Sequence, residues 1–167
     1  GAIDPDMLAG YSASTQETEK LVAAMKITLE ERLPSAEVTP QQLKDRSWWT
    51  GPDIFLIVDN LDLVADMAFA PLLSVLPHAR DVGLHVVITR KSGGCVRALF
   101  QPFLAEIKDQ SPFIIVLDAD KDDGPLFGVR LKPQPPGRGV MIHHGTQQGL
   151  IQIAAADMPE VSEAKAS

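Results

Sequence analysis

The chain has 167 residues, of which 45% are hydrophobic and 22% charged, a composition that fits one folded globular domain and excludes wholesale disorder. Fifteen Lys and Arg against 22 Asp and Glu give a formal net charge of −7, which argues against an autonomous nucleic-acid binder because such a protein needs a basic face. The single cysteine, Cys95, excludes an internal disulfide, and every apolar stretch is far shorter than the roughly 20 residues that span a bilayer.

Two helices are predicted in the first fifty residues. The sequence Ser14–Glu17 has the pattern of a capping box, and the apolar residues after it recur at i, i+4 spacing. This pattern predicts an amphipathic helix over Thr15–Arg32, which Pro34 stops. A second capping box at Thr39–Gln42 places proline at the first helical position and predicts a short helix that ends near Arg46.

From residue 53 onward, buried strands alternate with helices. Continuous apolar runs at Ile54–Val58, Leu84–Thr89 and Phe113–Leu117 predict strands that are covered on both faces. Helices are expected between them, one through Pro71–Leu76 and one that begins at Ser92–Gly94. Because such alternation implies right-handed crossovers and a parallel sheet, the predicted fold class is α/β.

The last fifty residues have a different pattern. Residues Asp118–Pro125 form an acidic loop, and two apolar runs on either side of a polar turn predict a β-hairpin within Gly139–Ala154. The tail from Asp157 has no apolar periodicity. We therefore expect one domain over residues 1–156 and a flexible tail over residues 157–167.

One strand ends in a carboxylate: the run Phe55–Val58 is followed by Asp59 and Asn60. In P-loop NTPases, a carboxylate at this position holds the water shell of Mg²⁺, and the next residue is usually a Glu that polarises the attacking water. Asn60 cannot act as that general base. An Asp in this place can equally cap the following turn, and the motif alone leaves both interpretations open.

The other half of a nucleotide site is missing from the sequence. No Gly-x-x-x-x-Gly-Lys-Ser/Thr string, which would wrap backbone amides round the phosphates, occurs in these 167 residues. Ser92–Gly94 could offer a small anion nest, although a plain helix start explains it as well. Thr89 and Arg90 follow the second strand, where they could place a donor near a γ-phosphate or simply cap the strand. The chain by itself is not expected to bind ATP well.

Three other features have structural interpretations beside their functional ones. Trp48 and Trp49 could dock a partner or pack under the first strand. His143 and His144 are adjacent on the predicted hairpin, where neighbouring side chains point to opposite faces, so we expect surface and half-buried histidines rather than a metal site. Cys95 is expected to be a small structural hydrophobe.

Several short blocks, in one order along the chain, resemble the C-terminal ATPase domain of the EccC family, the FtsK/SpoIIIE-like motors of type VII (ESX) secretion systems. The resemblance extends from about Gly10 to Ala154. The blocks are Ser47–Asp53, Asp59–Val64, Pro71–His85, Arg90–Gly94, Asp123–Gly128 and Pro135–Gly139. The resemblance implies an incomplete RecA-like P-loop NTPase core, from the last of three tandem ATPase modules.

The resemblance assigns roles at a few positions. Asp59 matches the Walker B aspartate that serves Mg²⁺ through water, and Asn60 departs from the acidic residue of active motors. Thr89 and Arg90 occupy the sensor position. These four residues are the expected nucleotide-binding set. ATP and Mg²⁺ are thus the cofactors implied for the complete module, and the fragment alone is expected to bind neither and to be inactive as an ATPase.

The resemblance also implies partners. In the family, this module receives the C-terminal export signal of small helical WxG-type substrate dimers in a hydrophobic pocket, and the motor sits at the cytoplasmic face of the inner membrane within a membrane complex. Other ATPase modules of the same motor are further partners. For the pocket, the sequence suggests the apolar face of the helix after Ser92, which consists of Val96, Leu99, Phe100 and Phe103.

The family's strand order has a consequence for the sheet. The P-loop strand would lie upstream of Gly1, and in the sheet it would separate Leu84–Thr89 from Phe113–Leu117. These two strands are therefore expected not to be direct neighbours. Their open edges would favour a homo-oligomer or a swapped assembly.

The sequence thus favours a C-terminal module of a type VII secretion motor that binds nucleotide only with the missing P-loop segment and recognises substrate signals to promote motor assembly and export. One alternative is a protein-interaction module with a degenerate ATPase fold and no nucleotide role. A second is a fragment of an FtsK-like DNA translocase, which the charge of −7 disfavours.

Overall fold

A computed structural model describes residues 4–118, 124–130 and 132–154. The chain divides into two compact units, Gly1–Pro112 and Phe113–Ser167. The middle of the predicted acidic loop and the whole predicted tail from residue 157 lie outside the described residues.

Both predicted N-terminal helices are confirmed. Helix α1 spans Thr15–Glu31, and the hydroxyl of its N-cap Ser14 accepts the amide of Glu17. Helix α2 spans Pro40–Asp45 and has a complete capping box, in which Thr39 and Gln42 satisfy each other's backbone amides. A short 3-10 helix, Pro5–Met7, precedes them. Local capping signals were sufficient to locate these helices.

The first sheet consists of β1 (Ile54–Val58) and β2 (Leu84–Ile88), which pair in parallel with Ile54 opposite Leu84 and Val58 opposite Ile88. The expectation that β1 is covered on both faces is wrong for the described structure. Val58 faces the core, whereas the side chains of Phe55 and Ile57 are 62% and 57% exposed. Alternate residues of a strand point to opposite faces, and within the described part of this unit only one face is covered.

The core of the first unit is centred on two stacked phenylalanines. The rings of Phe69 and Phe103 lie 4.5 Å apart at an interplanar angle of 16°, and neither side chain is exposed. Leucines and valines from α1, from the segment between the strands and from β1 and β2 surround this pair. A stack of this kind adds roughly 0.5–1.5 kcal/mol to the hydrophobic contribution of the two rings.

The segment between β1 and β2 is not the α-helix that the sequence predicted from Pro71. It contains three 3-10 helices, Leu61–Leu63, Asp66–Leu72 and Leu76–His78. Pro71 and Pro77 explain the difference, because proline has no amide hydrogen for an i→i−4 bond and its ring clashes with the preceding turn. Leu72, Val75 and Leu76 are nevertheless fully buried.

The helix predicted after Ser92 is two helices. Helix α3 spans Cys95–Ala98 and helix α4 spans Pro102–Asp109, with Pro102 at the first position of α4. Proline disfavours a helical conformation in the residue before it, so the chain turns at Gln101 and the two helices do not share one continuous face.

Both tryptophans have packing roles. The indole N–H of Trp48 donates to the carbonyl of Arg32 at 2.7 Å, and that of Trp49 donates to the carbonyl of Asp81 at 2.8 Å. The guanidinium of Arg32 lies 4.3 Å from the centre of the Trp49 ring and donates to the carbonyl of Val82 at 3.1 Å. These contacts join the end of α1 to the turn before β2.

The second unit contains an antiparallel sheet with strand order β3-β4-β5. The strands are β3 (Ile114–Val116), β4 (Arg138–His143) and β5 (Thr146–Gln152). The terminal hairpin is therefore confirmed. β3 pairs antiparallel with β4 and, among the described residues, with neither β1 nor β2. Since β2 and β3 belong to different sheets, the expectation that they are not direct neighbours is confirmed.

Among the described residues, no helix combines the length and the apolar composition that a membrane crossing requires.

Replacing Phe103 by alanine should lower the free energy of unfolding by about 3–5 kcal/mol, because the change leaves a cavity against Phe69. Phe100, three residues earlier, is 80% exposed, and its alanine variant should stay within about 0.5 kcal/mol of the unsubstituted chain. Chemical denaturation of both variants compares them. Equal losses would contradict this description of the core.

Candidate nucleotide half-site

The carboxyl ends of β1 and β2 bring together Asp59 and Thr89, which the sequence singled out separately. The hydroxyl of Thr89 donates to Oδ1 of Asp59 at 2.7 Å. The same hydroxyl oxygen accepts the backbone amide of Asn60 at 2.8 Å. The Thr89 backbone amide in turn donates to the carbonyl of Val58 at 2.9 Å. Thr89 therefore fixes the orientation of the Asp59 carboxylate at the edge of the sheet.

Asn60 has a left-handed backbone conformation, with φ of 56°. It precedes the first 3-10 helix, and asparagine tolerates this conformation better than most residues do. Its side-chain oxygen Oδ1 is buried and has no hydrogen-bond partner in the described structure. A buried acceptor without a donor carries a desolvation cost of about 1–3 kcal/mol, so a donor supplied from outside this chain would be stabilising there.

Arg90 is held by an acidic residue that sequence reasoning did not single out for a role. Its guanidinium donates to Oδ1 of Asp62 at 2.8 Å, and the backbone amide of Lys91 donates to the other carboxylate oxygen at 3.1 Å. Only 14% of the Arg90 side chain is exposed. Arg90 must therefore leave Asp62 before it can reach a phosphate. Asp62 lies within one of the sequence blocks, but no local pattern reveals a contact across 28 residues.

The cavity beside this ion pair is small. It has a volume of about 100 Å³, and its lining includes Asp62, Asp66, Arg90 and Gln101. Pockets that enclose small-molecule ligands measure roughly 300–1,000 Å³. These residues do not enclose a nucleotide by themselves.

The residues present fit one part of a Mg²⁺–nucleotide site. The exposed carboxylate of Asp59 supplies the hard oxygen ligand that Mg²⁺ or its water shell prefers. The sequence has no P-loop motif, whose backbone amides would bind the phosphates. Across the described segments, no group of three or more His, Cys, Asp and Glu side chains could hold a metal ion on its own. The arrangement thus has the carboxylate that such a site needs and lacks the phosphate-binding loop.

The four residues suggested for a partner pocket do not lie on one surface. Phe103 is fully buried in the core, and Phe100 is 80% exposed at the end of α3. Val96 and Leu99 are half-buried, so their exposure lies between that of Phe103 and that of Phe100. The continuous helix face assumed from the sequence is interrupted before Pro102, which turns Phe103 inward.

The two histidines lie at the hairpin turn. His143 ends β4 and stacks on Phe113 with ring centres 4.0 Å apart, while His144 has a φ of 49° and its ring lies 3.9 Å from that of His143. The assumption of a regular strand was therefore wrong. The prediction of one half-buried and one exposed histidine is confirmed.

The chain is similar to components of secretion systems. It is 40% identical over 161 residues to the ESX-4 secretion system protein EccC4 of Mycobacterium tuberculosis, and 43% identical over 149 residues to the ESX secretion system protein EccC of Thermomonospora curvata. These alignments cover 94% and 87% of this chain but only 13% and 11% of the relatives. No protein-family model matches the chain.

Solved structures agree with the sequence relatives. The cytoplasmic domain of the T. curvata type VII secretion ATPase EccC matches with a TM-score of 0.83 at 40% identity, over 90% of this chain and 18% of that one. T. curvata EccC (ATPases 2 and 3) in complex with a signal sequence peptide matches with a TM-score of 0.82 at 41% identity, over 90% of this chain and 28% of that one. The predicted α/β class, that of a P-loop NTPase core, is confirmed.

Replacing Thr89 by valine should lower the free energy of unfolding by about 1 kcal/mol, because the Asn60 amide and the Asp59 carboxylate lose their common partner. Thr89→Ser keeps the hydroxyl and should remain within about 0.5 kcal/mol of the unsubstituted chain. Urea unfolding measures both. A valine variant as stable as the serine variant would show that this network contributes nothing.

Proposed function

Since the chain belongs to the EccC family of type VII (ESX) secretion ATPases, we propose that it serves as the C-terminal ATPase module of such a motor. In this role it contributes one half of a nucleotide site and recognises the C-terminal signal of small helical secreted proteins. Nucleotide and substrate together promote motor assembly and export. The parent protein holds the module at the cytoplasmic face of the membrane, in contact with the motor's other ATPase modules.

The single observation that carries the nucleotide role is the bond between Thr89 and Asp59. It holds a carboxylate at the end of a parallel strand, where P-loop NTPases place the ligand of the Mg²⁺ water shell. When bound, ATP would supply the phosphates, and Mg²⁺ would balance their negative charge. Asp59 would hold the water shell of Mg²⁺, and Thr89 keeps the Asp59 carboxylate in place.

Binding without efficient turnover follows from Asn60 and Arg90. The amide of Asn60 cannot accept a proton from an attacking water, so the chain lacks a general base at this position. The Arg90 guanidinium is occupied by Asp62 and stabilises no developing charge until that ion pair opens. The module therefore acts through the bound state of the nucleotide rather than through its hydrolysis.

Recognition of a signal peptide is supported by the T. curvata EccC structure, whose complex contains a signal sequence peptide. In this chain, we assign the contact to the Phe100 surface, which consists of Phe100 and the half-buried Val96 and Leu99. An exposed aromatic ring next in sequence to the half-buried Leu99 suits the apolar face of an amphipathic helix.

A protein-interaction module without a nucleotide role is the second candidate. The ion pair between Arg90 and Asp62 favours this second candidate, because an arginine that binds phosphate would first have to break the pair. The two candidates make different predictions for ATP binding by a longer chain.

Calorimetry with Mg-ATP separates them. The 167-residue chain should bind ATP weakly or not at all, whereas a longer chain that includes a phosphate-binding loop should bind it. In the longer chain, Asp59→Ala should weaken Mg²⁺-dependent binding about tenfold or more, the size of one lost charge-assisted interaction. Asp109→Ala, at the exposed end of α4, is the matched control and should have no effect. If the longer chain does not bind ATP, the nucleotide role is excluded and the protein-interaction module is the remaining candidate.

The Phe100 surface has its own test. Phe100→Ala should weaken binding of a type VII substrate's C-terminal signal peptide about tenfold or more, since truncating an aromatic anchor at an interface costs at least about 1.4 kcal/mol. Phe113→Ala removes a ring of similar exposure from the second unit and should bind as the unsubstituted chain does. Fluorescence anisotropy of a labelled peptide measures both. Unchanged binding by Phe100→Ala would exclude this surface.

A further inference from the structure

The amino ends of β1 and β2 border a cleft at the opposite end of the pairing from Asp59. It has a volume of about 470 Å³, and its lining includes Arg46, Trp49, Asp53, Arg80 and His85. We call it the arginine cleft. Its volume falls within the roughly 300–1,000 Å³ of sites that bind small ligands or short peptide segments. The nucleotide role and the Phe100 surface do not involve it.

The cleft has a rigid apolar wall. The Trp49 ring is fixed by the bond from its indole N–H to Asp81 and by the Arg32 guanidinium stacked on it. Gly83 lies against the ring: it has a φ of +70°, and a Cβ atom there would lie 2.6 Å from the Trp49 ring. The wall thus depends on a glycine that no other residue can replace without strain.

One arginine that lines the cleft has no carboxylate partner among the described residues. The carboxylate of Asp53 is 3.1 Å from Nε2 of His85, and Arg46 lies 3.8 Å from the carboxylate of Asp81. Arg80 is exposed and forms no ion pair with any residue that the structure describes.

A guanidinium binds a carboxylate through two parallel hydrogen bonds, and an indole face packs against aliphatic groups. A phosphate dianion fits less well, because Asp53 also lines the cleft and repels two negative charges more strongly than the single charge of a carboxylate. From this arrangement, we propose that the arginine cleft binds an acidic peptide segment, with a carboxylate at Arg80 and a neighbouring apolar side chain on Trp49.

The test uses the ¹⁵N-labelled 167-residue chain and the blocked peptide acetyl-Leu-Glu-Leu-amide. The chain has two tryptophans and hence two indole N–H signals, which Trp48→Phe assigns. The peptide should shift the Trp49 signal in a saturable manner. The same peptide with Gln in place of Glu should bind about tenfold more weakly or worse, because it loses a charge-assisted pair. Free glutamate and inorganic phosphate should also bind more weakly than the acidic peptide.

Arg80→Gln should weaken binding of the acidic peptide about tenfold, whereas Arg97→Gln, at an exposed arginine of α3, should leave it unchanged. The dispersion of the amide spectrum shows that each variant is folded. The proposal is overturned if the acidic peptide does not shift Trp49, if the Gln peptide, glutamate or phosphate binds as tightly, or if Arg80→Gln binds normally. Since none of these measurements involves ATP or Phe100, failure here leaves the proposed function untouched.

Discussion

The parallel register of β1 and β2 determines which residues meet at the amino end and at the carboxyl end of this strand pair. Five residue pairs are in contact, from Ile54 opposite Leu84 to Val58 opposite Ile88. Because the strands run in the same direction, the register decides which side chains meet at each end. A slip of one residue would separate Asp59 from Thr89 and turn Val58 away from the core, so the half-site would be lost together with the buried face.

Two sets of contacts hold this register. On the covered face, the stacked Phe69 and Phe103 fill the space under the sheet. At the amino end, Arg32 is only 8% exposed, and its buried charge is compensated by the Val82 carbonyl and the Trp49 ring. Burying a guanidinium is tolerable only with such partners, which explains why the Trp48-Trp49 turn packs where it does. The proposed nucleotide half-site and the arginine cleft therefore share one scaffold.

Features that depend on neighbours in sequence could be predicted, and features that depend on distant contacts could not. The caps at Ser14 and Thr39 located both N-terminal helices, and the apolar runs located all three core strands. Proline accounts for the two helices that differ from expectation: Pro71 lies in a 3-10 helix where an α-helix was expected, and Pro102 begins a separate helix. The exposed face of β1 was missed because an apolar run shows that a strand is suited to burial, without showing what covers it.

The candidate site was predictable to a similar extent. Asp59 follows a strand, and this pattern is visible in the sequence, as is the position of Thr89 after the next strand. The hydrogen bond between Thr89 and Asp59 could not be predicted from these patterns, because it depends on the register in which β1 and β2 pair. Neither the contact of Asp62 with Arg90 nor the meeting of Trp49 with Gly83 is visible locally, since 28 and 34 residues separate the partners.

The proposed Mg²⁺–nucleotide half-site lies at the carboxyl edge of β1 and β2. The most direct measurement is a crystal structure of a longer chain that includes a phosphate-binding loop, with Mg²⁺ and a non-hydrolysable ATP analogue bound. We expect Mg²⁺ to be linked to Asp59 through a bound water, with Thr89 still donating to the carboxylate. A bound nucleotide whose metal makes no contact with Asp59, directly or through water, would contradict it.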